Sequence, residues 1–539
     1  LGEQISHYES VDTKYAIKMP KSIQGHARLI DEKLAEITVC DPAVGSGAFP
    51  VGMMHEIVRA RCALTPYFND VHERTPYHFK RHAIQSCLYG VDIDAGAVEI
   101  AKLRLWLSLV VDEEETKQIK SLPNLDYKIV AGNSLVGFPF KSQRLHEIEK
   151  LKQDLFDESD TRKKATLKAE IQAKLTECFT ASRRSLGFEV NFDFHIYFSE
   201  VFNRNDGFDI VIANPPYVDS EEMTRSQPAL RKLYSSLFST AKGNWDLFVV
   251  FIEKGVSLLR SQGTISYIVP NKLISAPYSE SLRELLNQQA ILQIRDYSAV
   301  RVFLDVDVYP VVFVIQKAGE KRDVIMTTMA ELGTTSRCNR ILPSTFYSDI
   351  LWGRYFQDPE TLNILIKSNP IPRLEHFLPD ISGAATVSEA YELKELIREY
   401  RGNEKKPFRK LVNTGTIDPY CSLWGLRPTR YLKDSYTAPI VLDSDLGKLS
   451  SVRLHQAQSH KIIIGGMTLV LECLYDEGEC LAGKSTVIIL SNGRTSLKYV
   501  TALLNSSFIS FWYRASYNTL CLAGGYLRIS RNEIKTIPI

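Results

Sequence analysis

The sequence predicts an α/β fold: an open, doubly wound and largely parallel sheet, followed by a smaller α+β domain. Three observations carry this. Short β-rich runs alternate with helical stretches over roughly the first 330 of 539 residues. The first such run breaks into a glycine-rich turn and then a helix. Beyond residue 330 the alternation stops, and short β-type runs with Gly-rich turns replace it.

In chain order, residues 23–35 read as a helix. Ile37-Thr38-Val39-Cys40 is a strand, the turn follows, and residues 50–61 are helical. Residues 87–94 form a second strand with acids at its end. Residues 97–111 form a helix with Ile100, Leu103, Leu107 and Val111 on one face, and 127–130 a third strand. Residues 141–185 are dense in charge, with stripes Leu145, Ile148, Leu151, Leu155 and Leu167, Ile171, Leu175, which predicts an inserted helical hairpin, mainly structural. Then come a buried strand from Phe208 to Ala213, an apolar helix over 245–260, and strands over 264–269, 291–297 and 310–316. The second domain, 336–539, holds one good helix, 497–513.

The net charge of +2 excludes binding by global charge, so any nucleic-acid contact needs a local basic face. The nine cysteines contain no Cys-x-x-Cys pair, which points to reduced thiols in a cytoplasmic protein. No apolar run approaches the roughly 18 residues of a membrane span, so a membrane is not an expected partner. The chain starts at Leu1-Gly2-Glu3, without Met and without signal-peptide features; a longer protein with further N-terminal sequence is expected.

Several residues that could do chemistry fall at strand ends. Asp41-Pro42-Ala43-Val44-Gly45-Ser46-Gly47 lets backbone approach a ligand closely, and its leading acid suits an amino-bearing ligand better than a phosphate. Asp92 ends the next strand, placed to take a ribose diol, with Ile93 beside it for a purine face. Asn133 ends the third strand, where it could meet a base edge. In Asn214-Pro215-Pro216-Tyr217 the prolines stop the strand and stiffen the loop.

Asp41 to Phe49, Gly90-Val-Asp-Ile-Asp94 and Asn214 to Tyr217 resemble motifs I, II and IV of DNA adenine-N6 methyltransferases. The motif order resembles the gamma group, and within it the methyltransferase and specificity portion of type IIG restriction–modification enzymes. Gly243-Asn-Trp-Asp-Leu-Phe248 is similar to motif V, residues 263–271 to motif VI, and 302–316 to motif VIII. Residues 410–420, 461–464 and 524–530 resemble the family's specificity domain. The resemblance implies a Rossmann-like class I S-adenosylmethionine-dependent methyltransferase domain over 1–335, with its helical insertion, and a target-recognition domain over 336–539. It implies S-adenosylmethionine as cofactor, with no metal, and double-stranded DNA as partner. Asn214, Pro215, Pro216, Tyr217 and Phe303 would be catalytic. Asp41, Pro42, Ala43, Gly45, Gly47, Phe49, Asp92, Ile93, Asn133, Ser134 and Asp246 would hold the cofactor. Two positions depart from the pattern: Lys14 to Pro20 is the only counterpart of the tyrosine-rich motif X, and Asn133 stands where motif III often has Asp.

The expected activity is methyl transfer to adenine N6 of a flipped-out base within a restriction–modification or phage-defence system. Two alternatives remain open: a protein glutamine methyltransferase, which would be shorter and lack a large second domain, and a non-catalytic DNA-binding subunit. Pro379-Asp380 with Glu392-Leu-Lys394 matches a loose nuclease pattern common by chance; a cutting domain is expected upstream instead. Arg427, Arg430, Arg453, Arg514, Arg528 and Arg531 are candidates for phosphate or guanine contacts.

Overall fold

The computed structural model describes residues 19–70, 72–110, 125–138, 145–157, 160–186, 188, 190–303, 308–517 and 525–539. Lys14 to Lys18 of the motif X candidate and Gly524 lie outside them. The chain forms two compact units, one built from residues 1–273 and 278–347, the other from 274–277 and 348–539.

Unit 1 is organised on a nine-stranded sheet. Its strands are β1 (Val39–Asp41), β2 (Leu88–Asp92), β3 (Ile129–Ala131), β4 (Phe208–Ala213), β5 (Leu259–Pro270), β6 (Ala290–Asp296), β7 (Pro310–Gln316), β8 (Val324–Glu331) and β9 (Thr334–Ile341), in the order β3-β2-β1-β4-β5-β7-β6-β8-β9. The first five in that order are parallel and β7 is antiparallel to β5. Because β1 feeds outward to β2 and β3 on one side and β4 lies on the other, the order reverses between β1 and β4. The carboxyl ends of β1, β2, β3 and β4 therefore share one edge around a topological switch point, where open α/β sheets hold ligands. Below that edge Asp209 locks the register. Its carboxylate accepts from Thr38 N and Oγ1 at 2.9 and 2.8 Å and from Arg260 Nε at 2.6 Å, so β4 is pinned to the strands on both sides. The sheet continues through Ile341, beyond the point where the sequence alternation fades, because β8 and β9 pair directly as an antiparallel hairpin with no helix between them.

The apolar face read from the sequence is not the packed one. On the helix Ala95–Val110, Ile100, Leu103 and Leu107 are exposed, and the buried face is Val98, Ala101, Leu105 and Leu109. The reason is close approach: a Cβ on Gly47 would lie 2.9 Å from Ala101 Cβ, so the small residues mark the packed side. The insertion forms two helices, Leu145–Asp157 and Thr161–Leu186, packed through Ile148, Leu155, Ile171 and Leu175. Lys152, buried with its Nζ 3.2 Å from Glu200, anchors the first of them.

Unit 2 holds two four-stranded sheets together with several short helices. Ile381–Gly383, Thr486–Leu490, Lys461–Gly465 and Cys473–Asp476 form one sheet, and Arg398–Glu399, Pro439–Leu442, Phe408–Val412 and Cys480–Ala482 a second. Ile462, Ile464, Val487 and Ile489 pack with Trp512, whose indole donates to Ser368 Oγ at 2.8 Å. The single helix expected over 497–513 is two, Leu497–Leu504 and Ser507–Ser516. Ser506 caps the second by accepting from Ile509 N, which breaks the run. No helix among the described residues is long and apolar enough to cross a membrane.

Candidate active site

Asp41 ends β1 and is almost completely buried. Its Oδ1 accepts from Ala43 N at 2.9 Å, while Oδ2 has no partner among the described residues. Burial pushes the carboxyl up to about 8; the Ala43 hydrogen bond opposes this and the neighbouring Asp92 charge adds to it. A buried acid with one oxygen unspent is a poor structural group and a good receptor for a cationic amine. The loop it leads is rigid. Gly45 and Gly47 have φ of +49° and +84°, Gly45 N donates to Asp92 Oδ2 at 2.8 Å, and Val44 N donates to Val91 O. Nothing lies within 4 Å of a Cβ placed on Gly45, so the loop is open on that side. Pro42 is buried and its carbonyl accepts from Ser134 Oγ at 2.6 Å, joining the first and third strand ends. Ala43 on the turn and Phe49 in the first turn of the helix Ala48–Leu64 are half-buried.

Asp92 uses one lone pair on each oxygen within the chain, for Gly45 N and for Asp94 N at 3.0 Å, leaving one on each for a diol. Ile93 beside it is 71% exposed among the described residues, an apolar face at the mouth of the site. Asn133 is more constrained than its sequence position implied. Its Oδ1 accepts from Leu135 N and its Nδ2 donates to Tyr234 Oη, both at 3.0 Å. Leu135 and Tyr234 thus fix the amide, and one Oδ1 lone pair and one Nδ2 hydrogen remain to meet a base edge.

Asn214, directly after β4, is exposed. Neither its side chain nor the Pro215 carbonyl takes a hydrogen bond among the described residues. Pro215 is buried and Pro216 exposed. Tyr217 Oη donates to Ile268 O on β5 at 3.3 Å, and burial holds its hydroxyl well above the ordinary tyrosine range. Its ring meets Phe303 edge-on, with centroids 6.1 Å apart at 74°. The parallel pairing Cys40↔Val211 sets the Asp41 and Asn214 strand ends side by side.

Asp246 stands apart from the other cofactor candidates. It is buried, and accepts from Ser220 N at 3.1 Å, Lys272 Nζ at 2.9 Å and Tyr278 Oη at 2.7 Å. Together with Leu247 N donating to Val218 O, this ties the exit of the Asn214–Tyr217 loop to the end of β5. Sequence reasoning missed Lys272, Tyr278 and Tyr234, whose partners lie 26 to 101 residues away.

In unit 2, Arg427, Arg430, Arg528 and Arg531 are exposed. Arg453 is not a surface contact: it is buried and donates to the carbonyls of Ala384 and Ala482. Arg514 is likewise engaged by the carbonyls of Gly525 and Leu469.

Residues 86–303 match the profile of the Eco57I restriction-modification methylase, and residues 425–539 that of the TaqI-like C-terminal specificity domain. The chain is thus similar to an Eco57I-type methylase over the first stretch and to a TaqI-type specificity domain over the second. It is 25% identical over 305 residues to the type II restriction enzyme and methyltransferase RM.Eco57I of Escherichia coli, covering 54% of this chain and 25% of that protein. It is 33% identical over 119 residues to the type II methyltransferase M.TthHB8I of Thermus thermophilus, covering 21% of this chain and 27% of that one. Among solved structures, the DNA complex of the type IIL restriction-modification enzyme MmeI matches with a TM-score of 0.48 and 13% identity, over 95% of this chain and 63% of that chain. The chain spans only 25–31% of the length of the first curated relatives it matches.

Proposed function

We propose that this chain is the methyltransferase and specificity portion of a type II restriction–modification enzyme. It transfers a methyl group from S-adenosylmethionine to the N6 amino group of adenine in double-stranded DNA. The observation that carries the reading is the pairing of two unspent acceptors, Asn214 Oδ1 and the Pro215 carbonyl, with the unspent Asp41 Oδ2 on the neighbouring strand end.

The residues present fit that cofactor. Asp41 Oδ2 would take the methionine ammonium, directly or through a water. The free lone pairs of Asp92 would take the ribose hydroxyls, Ile93 would cover the adenine face, and Asn133 and Ser134 would close the adenine end. S-adenosylmethionine bound there would supply an electrophilic methyl on its sulfonium. An exocyclic amino nitrogen is a weak nucleophile because its lone pair is delocalised into the ring. Asn214 Oδ1 and the Pro215 carbonyl would accept its two hydrogens and favour a pyramidal nitrogen with its lone pair freed for attack; the prolines fix both acceptors before the base arrives. Tyr217 and Phe303 flank the base, which must leave the helix stack to reach this loop. Asp246 positions the loop and is not itself a cofactor ligand. The exposed arginines of unit 2 contact DNA, and the boundary between catalytic and reading portions falls near Tyr347.

The test is Asn214→Ala. It should bind cofactor with wild-type affinity and lose methyl transfer by about 10²–10³-fold, the scale of losing one preorganised partner of the reacting group. Wild-type turnover in that variant would remove the acceptor role.

A further inference from the structure

The inserted hairpin rejoins the sheet through residues 190–194, and this return segment lies against the loop that follows β3. Asn191 Oδ1 accepts from Asn133 N at 3.1 Å, and Asp193 Oδ2 accepts from Phe138 N at 2.9 Å. Asp193 Oδ1 meanwhile caps the helix Phe194–Tyr197 through His195 N and Ile196 N. Contact between loop and segment leaves no room for a side chain. A Cβ on Gly132 would lie 2.3 Å from Phe192 Cβ, and one on Gly137 2.6 Å from Asp193 Oδ2. A run of stacked rings continues this into the hairpin. Phe138, at the end of the loop, stacks on Phe179 of the long hairpin helix at 6.0 Å and 10°. Phe179 stacks on Tyr197 at 6.2 Å, and Tyr197 on Phe192 at 5.0 Å. The hairpin thus reaches both ends of the seven-residue stretch 132–138 that carries Asn133 and Ser134.

We propose that Asn191 and Asp193 are positioning residues for the cofactor site, and that the hairpin is the scaffold that shapes its adenine end; this rests on the reading that residues 132–138 border S-adenosylmethionine. Asn191 and Asp193 touch neither cofactor nor DNA. They hold the Asn133 and Phe138 amides so that the Asn133 side chain and Ser134 face the pocket. The long charged insertion is then part of the machinery that sets cofactor affinity rather than a solvated decoration.

Asn191 is exposed, so its replacement leaves the core intact. Calorimetric titration of S-adenosylmethionine, and separately S-adenosylhomocysteine, into the full chain should show Asn191→Ala binding about tenfold more weakly, the scale of one lost hydrogen bond. Its melting temperature and its DNA affinity should be unchanged, and its kcat at saturating cofactor should stay near wild type while KM for the cofactor rises. Asn191→Asp keeps an oxygen acceptor and should restore binding. Phe179→Ala, on the hairpin and away from the pocket, should weaken both ligands in the same way. Equal binding by Asn191→Ala and wild type overturns the proposal, and so does equal weakening in Asn191→Ala and Asn191→Asp. If the wild type binds neither ligand, the cofactor reading itself fails. The clamp is then decided by amide hydrogen exchange: faster exchange at Asn133 in Asn191→Ala supports it, and an unchanged rate overturns it.

Discussion

Replacing Asp41 by Asn removes the charge this site can develop while keeping its shape. With its carboxyl at about 8, about one Asp41 in ten is ionised at pH 7 and about one in a hundred at pH 6. A bound ammonium requires the ionised form, so cofactor binding must expel the proton. The expected consequence is a Kd that falls about tenfold for each pH unit from 6 to 7 and levels off near 8, with about 0.9 proton released per cofactor at pH 7. Calorimetry in two buffers of different ionisation enthalpy reads that proton directly. Asp41→Asn should bind with little pH dependence, matching wild type near pH 6 and falling at least tenfold behind by pH 8. The same carboxyl also sets a stability slope. Its folded value lies above the unfolded 3.8, so the native state holds more protons between about 4 and 8. The cofactor-free protein should therefore lose stability as pH rises through that window, and saturating cofactor should flatten the loss. A Kd constant from pH 6 to 8, with no proton released, would refute the reasoning.

Two further perturbations test the packing that supports the site. Gly132→Ala forces a Cβ to within 2.3 Å of Phe192 Cβ and should cost about 1–3 kcal/mol in denaturant unfolding together with weaker cofactor binding, whereas Gly52→Ala, on a helix with nothing within 4 Å, should be neutral or stabilising by up to about 1 kcal/mol. In unit 2, Trp512→Ala removes a fully buried ring and its hydrogen bond to Ser368, which predicts a loss of about 3–5 kcal/mol on denaturant unfolding of that unit.

Strand ends were the most legible part of this chain. Asp41, Asp92, Asn133 and Asn214 each follow an apolar run and each interrupt it, and parallel pairing brings those interruptions to one edge. What holds them there was not legible. The donors to Asp246 and the acceptors for Asn133 and Phe138 come from distant segments with no periodic signature, as does the Thr38–Asp209 link across 171 residues. The hydrogen bonds that Asp246 accepts from Lys272 and Tyr278 are likewise invisible in a local motif. The packed face of the helix Ala95–Val110 was hidden for a related reason. Large apolar residues dominate a pattern read from sequence, but the packed side is chosen by what the neighbour leaves room for, here Ala101 against Gly47. The break at Asn505-Ser506 did carry a sequence cue, a capping serine inside an apolar run.

The central claim is that Asn214 and Pro215 present acceptors to an adenine amino group beside a cofactor held by Asp41 and Asp92. Its most direct test incubates the chain with methyl-labelled S-adenosylmethionine and mixed genomic DNA, followed by digestion to nucleosides. Label recovered in N6-methyladenosine, and lost with Asn214→Ala, is the result the account predicts. Label recovered in cytosine or in protein would contradict it.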